Sequence, residues 1–116
     1  MQPIESRRTE RFNLGIRLSV SVLNSTAPEQ RTESLNVSAG GMYFATNLPL
    51  RRATGVQLFF KMPEEITHMP ARDWVCTGHV VHVKPVSVPS GWLGVGVQFD
   101  CYEVVPTAES LASRAC

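Results

Sequence analysis

Between Phe12 and Val22 every second residue is apolar, at Phe12, Leu14, Ile16, Leu18, Val20 and Val22, with Asn13, Gly15, Arg17, Ser19 and Ser21 between them. A period of two is that of a strand with one buried face, so this pattern predicts a strand over 12–22. Asn24 to Glu29 is small, polar and contains Pro28, and reads as a turn. Gln30 to Val37 resumes an extended, half-polar segment that completes a hairpin.

Ser38-Ala39-Gly40-Gly41 interrupts that segment, and Met42 to Ala45 starts a third strand. Adjacent glycines permit backbone angles closed to other residues. After a connection containing Pro49, alternation returns at Val56, Leu58, Phe60 and Met62, and Pro63 ends it. Pro63 to Arg72 is the longest irregular stretch. Asp73 to Lys84 reads as a long strand with apolar residues on both faces, as where a sheet curls. Beyond a turn at Pro85 to Gly91, Leu93, Val95, Val97 and Phe99 alternate with Trp92, Gly94, Gly96 and Gln98. The two glycines suit a tight bend or a close backbone approach. Six strands at this spacing predict a mainly β, six-stranded antiparallel β-barrel.

Past Pro106 the period changes. Ala108, Leu111, Ala112 and Ala115 recur at three- and four-residue steps behind Thr107 as N-cap, which predicts a short C-terminal helix. Residues 1–11 carry no such pattern and read as a flexible Arg-rich arm, leaving 12–116 as one domain with its closing helix.

Composition narrows the function. A chain of 116 residues, 43% hydrophobic and 18% charged, is suited to a single core. No run approaches the roughly 20 apolar residues of a membrane-spanning helix, and the polar N-terminus does not resemble a secretion signal, so a cytoplasmic protein without membrane insertion is expected. The odd set Cys76, Cys101 and Cys116 fits free thiols in a reducing compartment. A net charge of +1 and few aromatics argue against a DNA or RNA binder.

Enzyme signatures are missing: Ser38 has no Gly-x-Ser-x-Gly context, and no Gly-rich loop carries a Lys. His79 and His82, three apart on a predicted strand, face opposite sides and so would not share a metal.

Two segments carry candidate chemistry. Arg7-Arg8-Thr9-Glu10-Arg11 places three guanidinium groups within five residues, and these repel one another unless an anion lies among them. A charged flank partly paired with Glu5 and Glu10 is the plain alternative. Asn36-Val37-Ser38-Ala39-Gly40-Gly41 brings an amide and a hydroxyl two residues apart, on one face if the strand runs that far. They could bond a base edge, while the glycines clear space for a flat ring. In the plain alternative Asn36 and Ser38 bond only their own turn.

Taken together and in this order, the segments resemble the PilZ domain family, whose signature is Arg-x-x-x-Arg followed by Asp or Asn-x-Ser-x-x-Gly. Arg7 and Arg11 fill the first motif; Asn36, Ser38 and Gly41 fill the second. The arm, the barrel, a late Gly94 to Phe99 strand and a closing helix extend the resemblance over nearly the whole chain.

The resemblance implies a non-catalytic receptor for cyclic di-GMP, with no metal and no other cofactor. Arg7, Arg8 and Arg11 would hold phosphates or guanine, Asn36 and Ser38 a guanine edge, and Gly40 and Gly41 the turn. Asn36 stands where many members carry Asp, which removes a charge that accepts from guanine donors. Ligand would draw the arm onto the barrel, and a protein partner in trans, or self-association, would read the result. A monomer or weak homodimer is expected. The alternative is a PilZ-like domain that binds a protein through the 63–72 loop and the helix, without nucleotide.

Overall fold

The alternating positions fold into six antiparallel strands: β1 (Arg17–Val22), β2 (Gln30–Val37), β3 (Gly41–Thr46), β4 (Gly55–Met62), β5 (Arg72–Pro85) and β6 (Leu93–Val104). The computed structural model describes residues 10–87 and 90–105. The strands close into a barrel in the order β1-β2-β3-β6-β5-β4, the predicted architecture. Closure comes from β1, which pairs with β2 on one side and with β4 on the other, Leu18 opposite Phe60 and Val22 opposite Val56.

Inward positions form one core, in which Val20, Val37, Phe44, Val56, Leu58 and Val95 are wholly buried. Phe60 packs between Phe99, 5.9 Å away, and Trp74, 6.5 Å away, and Trp74 stacks on Tyr102 at 4.1 Å. Trp74 therefore serves the core. Each such aromatic removes apolar area from water at about 25 cal/mol per Å², the dominant favourable contribution here. Among the described residues no buried side-chain polar atom lacks a partner. Cys76 sits within this core, and burial, followed by the nearby Cys101, pushes its thiol up from the usual value near 9 to about 12.

Several boundaries differ from the sequence expectation. The first strand begins at Arg17 rather than Phe12. Phe12 instead forms an isolated bridge with Val37, and the chain between follows β2 by other bonds. Between Phe12 and Arg17 the leader spends five residues against four of β2, from Val37 to Glu33, which breaks the ladder there; on its other side β2 bulges towards β3 between Ser34 and Asn36 and leaves Leu35 half exposed. A short helix, α1 (Glu64–Thr67), occupies part of the supposed irregular loop, and His68 ends it in the left-handed region, φ 60°. The last strand continues past Phe99 to Val104, through a second bulge opposite Thr77 and Gly78. The predicted helix after Pro106 lies outside the described residues.

Candidate functional site

Arg11 owes its position to the residues that follow it. The Phe12 N–H donates to the Val37 carbonyl at 2.8 Å, and the Val37 N–H returns a bond to the Phe12 carbonyl at 2.9 Å. Ser34, three residues before Val37 on β2, grips the same segment further along. Its hydroxyl donates to the Leu14 carbonyl at 2.6 Å and accepts from the Ile16 N–H at 2.8 Å, while its own N–H donates to the Ile16 carbonyl at 2.9 Å. Ser34 is only 3% exposed, so these bonds lie out of water where an unmade bond is costly. The chain from Phe12 to Ile16 is thus tied to β2, and its upstream end delivers Arg11 beside Asn36.

There Arg11 Nη1 donates to Asn36 Oδ1 at 2.8 Å, joining residues 25 apart. The end of the arm and the rim of the barrel, the two segments singled out in the sequence, meet in this bond. Asn36 lies opposite Tyr43 on β3, with its side chain half buried on the outer wall. Arg7 and Arg8 lie outside the described residues.

Ser38 is placed differently from Asn36. The strand ends at Val37, and Ser38 begins a tight turn in which it is 3% exposed. Its N–H donates to the Gly41 carbonyl at 2.9 Å, its hydroxyl donates to the same carbonyl at 3.3 Å, and it accepts from the Gly40 N–H at 3.2 Å. The hydroxyl is therefore engaged with its own turn, the plain role weighed for it, while still lining the cleft beside Arg11.

The glycines are needed for space rather than for unusual backbone angles. Among the described glycines only Gly91 has a positive φ, 87°. A Cβ on Gly41 would fall 2.6 Å from the Val97 carbonyl oxygen, because β3 and β6 run together at Gly41 and Gln98. Gly40 contributes its carbonyl, which accepts from the Phe99 N–H at 3.0 Å and closes the turn onto β6.

Arg11, Ser38, Gly40 and Gly41 line one shallow cleft of about 190 Å³, completed by Val81, Gly96, Val97 and Gln98. These last four were not anticipated. A bulge between Val80 and His82 pushes Val81 outward as one wall, and Gly96 opposite leaves the floor without a side chain. The Gly94-Val95-Gly96 spacing was the available signal for that floor. Tyr43 covers Gly94, where an added Cβ would strike its hydroxyl and ring.

The same bulge corrects the histidine geometry. By restoring register at His82 opposite Gly96, it turns His79 and His82 to the same outer wall rather than to opposite sides. His79 Nδ1 lies 2.9 Å from Asp100 Oδ2, and the His82 ring lies 6.4 Å from that of Tyr43. No cluster of three potential metal ligands occurs among the described residues, nor does any described helix have the length and apolarity to cross a membrane.

A cationic fork held beside an amide acceptor, next to a cleft whose floor at Gly96 carries no side chain, can take a phosphate and the edge of a flat base together. The fold and this rim define a closed β-barrel with an arginine-bearing leader laid over its second strand. The PilZ domain family matches residues 5–107, and the chain belongs to that family, a receptor family whose members are typically non-catalytic. Among solved structures it is similar to the Bacillus subtilis inhibitor of motility, MotI/DgrA, with a TM-score of 0.63 and 20% identity over 97% of this chain and 49% of that one. The chain thus spans about half the length of that structure. No curated protein matches it.

Proposed function

We propose that this protein is a receptor for cyclic di-GMP, binding the dinucleotide between its Arg-rich leader and the outer wall of the barrel. The observation that carries this reading is the Arg11–Asn36 hydrogen bond, which unites the two family motifs at the cleft lined by Ser38, Gly40 and Gly41. Arg7, Arg8 and Arg11 supply guanidinium forks for the two phosphates and for guanine O6 and N7. Asn36 meets a guanine edge, and Ser38 reaches it if its 3.3 Å bond to Gly41 gives way. The backbone of Gly40 and Gly41 leaves room for the ring.

Binding exchanges contacts. Arg11 releases Asn36 and takes phosphate or base, Asn36 turns to the guanine edge, and the leader closes over the ligand. The changed surface is read by a partner protein in trans, with no bond made or broken in the ligand. The protein works in the cytoplasm, as a monomer or weak homodimer. A PilZ-like domain that binds protein without nucleotide is the second reading. The paired Arg7 and Arg11 favour the receptor.

Calorimetry with cyclic di-GMP tests this. Wild type binds, and Arg11→Ala and Ser38→Ala each weaken binding by about 1–3 kcal/mol, the scale of a charged or bidentate contact. Absence of heat with the wild type, where an unrelated nucleotide is equally silent, rejects the receptor reading.

A further inference from the structure

A cleft of about 680 Å³ is centred on β1, where β1 runs between β2 and β4, and it shares no lining residue with the cleft beside Arg11. Its shape follows from register. Ser19 stands opposite Arg31 on one side and Phe59 on the other, so a small residue lies between two large ones and the wall dips there. Arg17, beside Glu33, and Lys61 extend the rim.

The chemistry of this dip is uneven in sign. Arg17, Arg31 and Lys61 are all exposed, and among the described residues none is within ion-pair distance of a carboxylate. Glu33 leans over Gly15, where its carboxylate would meet an added Cβ, and Asp73 sits opposite Lys61 outside the cleft. Between the cations Phe59 is 45% exposed, an apolar side chain that the core does not use.

We infer that this wall docks an acidic segment of a partner protein, with carboxylates on Arg17, Arg31 and Lys61 and an apolar side chain against Phe59. Charge complementarity selects the acidic class, since three unpaired cations surround Phe59, with Trp92 also lining the cleft, and the single lining acid is turned aside. A peptide suits the site better than a nucleic acid. The basic residues cluster around one dip instead of tracking along a groove, and the chain carries a net charge of only +1. The wall is independent of the nucleotide site, so it tests separately from the receptor reading.

The probe is a labelled synthetic peptide alternating Glu with Leu and Phe, with a second peptide in which every Glu is Gln, and an oligothymidylate of similar length. Binding to the full chain is read by fluorescence anisotropy and located by amide chemical shifts. The acidic peptide binds, shifting Arg17, Ser19, Arg31 and Phe59, while the Gln peptide binds at least about tenfold more weakly. The triple variant R17Q/R31Q/K61Q, exposed at every position and checked for folding by its thermal melt, weakens binding by about tenfold. F59S weakens it too, and R11A leaves it unchanged. The inference is overturned if the acidic peptide does not bind, if the Gln peptide or the triple variant binds equally well, if the shifts fall elsewhere, or if the oligothymidylate binds this wall more tightly.

Discussion

Arg11 and Asn36 are hydrogen-bonded at 2.8 Å, so the two segments of the proposed nucleotide site are in contact across 25 residues of chain. The bond is exposed and offsets only part of what a ligand contact contributes, since water competes for both partners. It nevertheless holds the guanidinium at the cleft that Arg11 helps to line.

Asn36→Asp restores the charge for which the family signature leaves room. A carboxylate accepts from guanine N1 and N2 together, and we expect cyclic di-GMP affinity to rise by roughly tenfold, about 1.4 kcal/mol. The carboxylate also attracts Arg11 in the free protein, and an exposed pair of this kind costs the ligand no more than about 1 kcal/mol. Titration calorimetry on the two proteins decides the sign, and weaker binding by the Asp variant would refute the assignment of Asn36 to a guanine edge.

Ser34→Ala removes the hydroxyl that serves Leu14 and Ile16, leaving two backbone groups without a partner. Stability should fall by about 1–3 kcal/mol in urea titrations, the scale of a buried unmade bond. Amide exchange should quicken from Phe12 to Ile16 before it does in β4. If the loss is spread evenly over the barrel, Ser34 is not a local clasp.

Gly41→Ala brings a methyl group against the Val97 carbonyl and must separate β3 from β6. We expect a loss of about 1–3 kcal/mol, typical of overpacking where backbone has to move. Thermal denaturation of this variant beside Gly91→Ala is informative for its contrast. Gly91 has open space around it but a φ of 87°, so alanine there costs only backbone strain.

Cys76 should be the slow thiol. With Cys101 and Cys116 replaced by serine, the native protein should not react with a disulfide reagent at pH 8, and should react fully in denaturant. Its raised ionisation also sets a direction with pH. The folded state holds the proton more tightly than the unfolded chain, so this contribution is complete below pH 9 and is lost as pH rises toward 12. Denaturant midpoints measured for Cys76→Ala and its parent across that window should converge as the pH climbs.

The sequence showed the strands because each has a buried face, and the motif residues because their types and order are unusual. Less visible was whatever depended on register. A bulge is one residue with no compositional mark, yet Leu35 shifts the register of β2 against β3 and Val81 builds a wall of the cleft. Ser34 left a fainter trace, a small polar residue at an inward position of β2. Ser38 shows the reverse: its motif is plain in the sequence, but only the turn geometry reveals that its hydroxyl is already occupied.

Ring closure has a kinetic side. Leu18 must find Phe60 and Phe44 must find Val95, pairings between stretches far apart along the chain. The entropy of closing such loops comes before the contacts that reward it, which places this barrel among slow folders, on a scale of about milliseconds to seconds. During synthesis, β3 has no second neighbour until Leu93 to Val104 leaves the ribosome, and until then valine-rich strands are open to chaperones and to one another.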